Sequence, residues 1–106
     1  MIALNNGVEV QLMVGTYREG STAVWLQTET CEPYADVSVY AYDVQRDYTR
    51  ELVKRHPSAF YVKHWDCPEL IEELVSRGFL VAVEAWPPVT LGYVPGVKAY
   101  RLGGGL

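Results

Sequence analysis

Val8-Glu9-Val10-Gln11-Leu12-Met13-Val14 alternates apolar and polar-or-soft side chains at every second position. A period of two is the mark of a β-strand with one face in a core, because successive side chains leave a strand on opposite sides. Here Val8, Val10, Leu12 and Val14 supply the inner face, and Glu9, Gln11 and Met13 the outer one. Working outward, MIAL followed by Asn5-Asn6-Gly7 reads as a short strand and a tight turn, since Asn-Gly takes positive φ at little cost. On the other side, Arg18-Glu19-Gly20-Ser21 turns the chain into a strand at 23–28, where Val24 and Leu26 flank Trp25. Thr30-Cys31-Glu32-Pro33 is the next turn. A further strand over 36–42 sets Val37, Val39 and Ala41 against Ser38, Tyr40 and Tyr42. Four adjacent strand signals with short links predict an antiparallel meander.

From Asp43 the pattern changes. Tyr48 and Leu52-Val53 among charges fit a short helix within 47–55, ended before Pro57; an irregular loop over 44–55 is the alternative reading. AFYVK at 59–63 is a brief strand. Leu70, Ile71, Leu74 and Val75 then form one apolar stripe of a helix over 67–77, with Glu69, Glu72, Glu73 and Arg77 facing water and Gly78 ending it. Residues 79–86 make a strand stopped by Pro87-Pro88, 97–102 a last strand, and 103–106 a flexible glycine tail. The expectation is a single α+β domain over 1–106: a mainly antiparallel sheet of about five or six strands, a helix in the C-terminal half and a second, short helix.

Composition bounds the function. A chain of 106 residues suffices for one core, and its 49% hydrophobic and 21% charged residues are those of a folded globular protein. The net charge of −4 argues against nucleic acid or an anionic membrane as the main partner. That charge is uneven: 43–64 carries five bases against three acids, while 1–42 and 65–96 each sum to −4. Two cysteines, Cys31 and Cys67, make no disulfide framework and fit a reducing compartment. With no signal-peptide pattern and no long apolar run, the expected location is the cytoplasm.

His64-Trp65-Asp66-Cys67-Pro68-Glu69-Leu70 is the stretch that most resembles chemistry. A thiol at a helix N-terminus is the setting that lowers a cysteine pKa, and His64 as its base would make a small cysteine-dependent enzyme. A helix start accounts for the same residues more simply. Pro68 suits the first helical position, Cys67 or Asp66 is the cap, and Glu69 lies near the positive helix end. His56, His64, Cys67 and Cys31 lack the paired spacing of a zinc site, and no phosphate-binding glycine loop is present. The chain is therefore expected to have no catalytic residues, no metal and no cofactor. Three Trp and eight Tyr exceed what a small core needs. Met13, Trp25, Tyr40 and Tyr42, opposite the Val/Leu face, are the candidate partner surface, because Trp, Tyr and Met are enriched at interface cores. Stacking of single-stranded nucleic acid on these rings is another reading, but it needs a basic groove, and the meander is acidic. A second layer of structure covering the rings is the purely structural reading.

The order of meander, short strand, HWDCPELIEELVSRGFL at 64–80 and LGYVPGVKAYRL at 91–102 resembles a family of small proteins of unknown function. Its members are encoded by conjugative plasmids, integrative elements and phages of Gram-positive bacteria, often beside antirestriction genes. The matching residues are Cys67-Pro68-Glu69-Leu70, Leu74, Gly78, Gly92-Tyr93 and Tyr100-Arg101-Leu102. The chain departs from the family in its His64-Trp65-Asp66 turn and its longer basic 43–58 segment. The resemblance implies an accessory protein that binds another protein, with a host defence component as the partner it inhibits. It brings no catalytic residues. For the aromatic surface a second copy of the chain is a further candidate partner, because a two-fold dimer buries one patch against itself.

Overall fold

The tetrapeptide Ala59-Phe60-Tyr61-Val62 is buried at every position. A strand buried on one face alone would alternate, so an unbroken buried run belongs to a strand covered on both faces. The computed structural model, which describes residues 1–41 and 45–104, bears this out. Phe60 and Val62 enter one hydrophobic cluster, and Ala59 and Tyr61 enter another. The strand itself, β5 in chain order, is short, Phe60–Tyr61. It pairs antiparallel with β9 (Ala99–Leu102), which pairs in turn with β6 (Leu80–Ala82). This three-stranded sheet is the middle layer of the molecule.

The first cluster lies between that layer and the N-terminal meander. β1 (Ile2–Ala3), β2 (Glu9–Thr16), β3 (Thr22–Thr28) and β4 (Pro33–Asp36) form a four-stranded antiparallel sheet in sequence order. Val10, Val24 and Leu26 meet Phe60, Val62 and the helix α2 (Pro68–Ser76) through Ile71 and Leu74. Burying each such side chain fully contributes about 1.5–3 kcal/mol. The second cluster lies on the opposite side of the middle layer. There α1 (Arg46–Arg55) contributes Leu52, and a hairpin of β7 (Val89–Leu91) and β8 (Val94–Val97) contributes Val89, Leu91 and Val97. The Cα radius of gyration, 13.4 Å, is that of one compact body. Among the described residues no helix is long and apolar enough to cross a membrane.

The α+β class, the antiparallel pairing and both helices agree with the sequence. The arrangement differs in identifiable places. Among the described residues there are nine short strands in three sheets rather than one sheet of five or six. The strand expected over 36–42 ends at Asp36. Beyond it Ser38, expected on the polar face, is buried and joins the two larger sheets by a single antiparallel bridge to Val62. Its hydroxyl accepts the Val24 N–H at 2.8 Å and donates to the Val24 carbonyl at 3.3 Å, so a polar side chain here satisfies backbone groups at the joint. Tyr42 and Asp43 lie outside the described residues.

The strand of 79–86 shrinks to β6 because a turn closes by the Trp86 N–H donating to the Val83 carbonyl. The last strand loses Val97 to the β7–β8 hairpin, which turns at Gly92-Tyr93 and was not read from the sequence. In β2 the apolar alternation is buried at Val10 but not at Val14, which is 53% exposed. Neither is Glu73 turned to water. Its carboxylate accepts the Asn5 N–H at 3.1 and 3.2 Å and pairs with Arg77 at 2.8 Å, tying the β1–β2 turn to α2.

Gly103, expected to open the flexible tail, is tied down. Its N–H donates to the Phe79 carbonyl at 2.9 Å. A Cβ there would run into the Gly78 carbonyl oxygen and come within 2.8 Å of Val81 Cγ2. Gly78, at φ +78°, lets the chain leave α2 beside this contact. Gly103→Ala should therefore cost about 1–3 kcal/mol by overpacking. Gly104→Ala, with open space at its Cβ, should stay within about 0.5 kcal/mol of the parent. Urea denaturation of both variants checks the difference.

Candidate functional site

The start of α2 organises the surface around it. Cys67, with φ −139° and ψ 69°, is the N-cap residue, and Pro68 follows in the first turn. The Cys67 carbonyl accepts the Ile71 N–H at 3.1 Å. No side chain caps the helix, because the Asp66 carboxylate is held by Lys63 at 2.9 Å. That contact, first through its hydrogen bond, raises the Lys63 pKa. Between the two capping schemes the sequence left open, the structure selects Cys67, and it does so through the backbone.

Two depressions open on either side of this helix start. Pro68 borders both. The first, about 410 Å³, runs along α2 and is walled by Val62, Ile71, Val75 and Tyr100, with His64 and Lys98 as polar groups on its lining. Its size falls within the roughly 300–1,000 Å³ of small-molecule sites. Val75 is 39% exposed although it belongs to the apolar stripe of the helix. The stripe is wider than the core it covers, and the excess becomes groove wall. The second depression, about 460 Å³, is bordered by Asn5, Asn6, Tyr34, Cys67, Glu69 and Glu73. It is laced with hydrogen bonds: Asn6 Nδ2–H to Tyr34 Oη at 3.0 Å, and the Val8 N–H to Asn6 Oδ1 at 3.0 Å.

His64 and Cys67 thus open onto different depressions. The His64 ring stands edge-on to Trp65, with centroids 5.3 Å apart, and Cys67 is exposed. The other residues weighed as metal ligands are dispersed. His56 sits at the end of α1, 6.3 Å from the Trp86 ring. Cys31 occupies an exposed turn at φ +65°. Among the described residues no three His, Cys, Asp or Glu side chains gather at one point.

The candidate aromatic surface divides. Met13 and Trp25 are direct partners in the β2–β3 register and are half-buried on the outer face of the four-stranded sheet. The Trp25 ring lies across Gly15, where a Cβ would stand 3.2 Å from Cζ3 and Cη2. A Cβ there would press on the ring and require it to shift by a few tenths of an ångström. Tyr40, 40% exposed, lies beyond β4 and packs on Tyr17 with centroids 5.2 Å apart. Tyr17 Oη in turn lies 2.8 Å from Ser38 Oγ. Tyr42, the remaining member, lies outside the described residues. The rings therefore partly cover one another and the sheet, rather than forming a flat exposed platform.

Sequence reasoning passed over the groove residues Val62, Val75, Lys98 and Tyr100. The usable signal was the breadth of the 70–75 stripe, which is more than one packing partner needs. No protein-family model, curated protein or solved structure matches this chain.

Burial sets the titration of two phenols. It raises the Tyr61 pKa, against a smaller lowering from the Trp86 Nε1–H donated to Tyr61 Oη at 3.0 Å. It also raises the Tyr17 pKa, opposed by Ser38 and assisted by Asp36. A pKa raised on folding gives stability that is whole below the unfolded value, about 10 for a phenol. That stability is lost as pH climbs through the folded value. Lys63 acts in the same sense. The urea midpoint should accordingly be flat from neutral pH to about pH 9.5 and fall beyond about pH 10. The fall should be shallower in Tyr61→Phe. A midpoint that rises above pH 10 would contradict the assignment.

Proposed function

We propose that this chain is a non-enzymatic accessory protein of a mobile genetic element or phage that acts by binding another protein, with a host defence component as the class of partner. The observation that supports binding is the groove along α2. Along this depression Val75 is 39% exposed and Tyr100 part-exposed over a floor of buried Val62 and Ile71, and the exposed apolar surface leaves water when a partner side chain fills it. Lys98 and His64 supply polar contacts that orient the occupant. The mobile-element setting is supported by the sequence resemblance through Cys67-Pro68-Glu69-Leu70, Gly92-Tyr93 and Tyr100-Arg101-Leu102. Tyr100 also lies on the groove.

Reading the chain as a binder rather than a cysteine enzyme is supported by His64 and Cys67 lining different depressions with no hydrogen bond between them, since a nucleophile and its base must come within hydrogen-bond reach. The test uses the chain as bait in host extract, followed by calorimetry with the protein it retains. Val75→Asp changes a partly exposed position and should keep the fold. It should weaken the retained partner by about thirtyfold, equivalent to about 2 kcal/mol at an interface anchor. Cys67→Ser should bind as the parent does. Equal binding by Val75→Asp removes the groove from the account, and loss of function in Cys67→Ser restores the thiol as the working group.

A further inference from the structure

The second half of β2 is an open sheet edge. β1 pairs with β2 only at Glu9 and Val10, and among the described residues no strand pairs with that side of β2 beyond Val10. The direction of each backbone group follows from the ladder. Tyr17 N–H donates to the Ser21 carbonyl at 2.7 Å, continuing the register that sets Gly15 opposite Ala23 and Met13 opposite Trp25. Hydrogen-bonded pairs alternate along an antiparallel ladder. Gln11, Met13 and Gly15 therefore bond to β3, and the N–H and C=O of Leu12, Val14 and Thr16 point to the open side. The β1 side agrees, since the Leu4 N–H donates to the Val8 carbonyl and Ile2 stands opposite Val10.

Exposed edges are ordinarily protected by charge, proline or a bulge. Leu12-Met13-Val14-Gly15-Thr16 has no charged residue and no proline, and its register with β3 is unbroken. At its centre an apolar side chain, Val14, is 53% exposed. We propose that this edge joins the same edge of a second copy of the chain, antiparallel about a two-fold axis at Val14, to make one continuous sheet. The segment is its own complement under that symmetry. The outward groups of Leu12, Val14 and Thr16 meet those of Thr16, Val14 and Leu12 of the second copy. The two Val14 side chains pack on each other across the axis. On the other face, Met13 of one copy stands opposite Gly15 of the second, beside the Trp25 ring that already lies there. A thioether against an aromatic ring is a favourable contact. An extended segment of an unrelated protein would use the same backbone groups, but only the two-fold pairing also matches Val14 to itself and Met13 to the glycine. This inference does not rest on the groove, which is built on α2.

Sedimentation equilibrium of the chain from micromolar to millimolar concentration reads the result. The mass should rise to twice that of one chain. Val14→Glu sets like charges face to face on the axis and should hold the mass at one chain, with an unchanged circular dichroism spectrum. Val14→Pro removes a backbone N–H that no β3 residue accepts, and should do the same. In the parent, the Leu12, Val14 and Thr16 amides should be protected from hydrogen exchange at high concentration and lose that protection on dilution. A one-chain mass throughout, a dimer that survives Val14→Glu, or a dimer in which those three amides stay unprotected would overturn the proposal.

Discussion

Residues 59–62 are buried on both sides, and most of the architecture follows from that single constraint. A chain of this length cannot cover two faces of a sheet with one further layer. The meander and α2 close one side, and α1 with the β7–β8 hairpin closes the other. The middle sheet is doubly buried chiefly at β5, where Phe60 and Tyr61 face opposite clusters, while its flanking strands keep part of their side chains at the surface. Joints between layers then become the polar problem. Ser38 answers it by bonding to the backbone of Val24 while bridging to Val62. Glu73 answers it by holding the Asn5 N–H from α2. Both are polar residues placed where layers meet, and each leaves fewer backbone groups without a partner.

How much of this the sequence disclosed depends on the range of the interactions involved. The turns at 5–7 and 18–21, the β2–β3 pairing and the α2 stripe are local, and all could be read from spacing. The helix at 46–55 was legible only as one of two readings, because its single fully buried apolar residue, Leu52, gives a weak period. The β7–β8 hairpin was missed because Val94-Pro95-Gly96-Val97 places a proline within the strand and its ladder shifts register between Val89 and Leu91. Non-local facts left no local trace. Nothing around Val14 announces that β1 stops short of it. Nothing around Gly103 announces the Gly78 carbonyl against which it lies.

The same distinction governs the candidate sites. HWDCPEL looked reactive as a string, yet Pro68 divides its two reactive side chains between separate depressions. The groove, by contrast, is made of residues that look ordinary in sequence. Val75 continues an apolar stripe, Tyr100 and Lys98 belong to the end of the chain, and only the fold sets them around one volume. Part of the apolar surface is left unburied by the core. Here it occurs both along α2 and on the edge of β2.

The middle sheet is the part of the account on which the rest stands, and native-state hydrogen exchange probes it most directly. The Val62 N–H bonds to the Lys98 carbonyl, the Val39 N–H to that of Tyr61 and the Val83 N–H to that of Ala99. If residues 59–62 sit between two closed layers, these three amides exchange only through global unfolding. Their opening free energy then equals the stability from urea denaturation and falls in step with it under added denaturant. Exchange of the same amides through a separate, lower-energy opening, while the β2–β3 ladder stays protected, would contradict the doubly covered sheet.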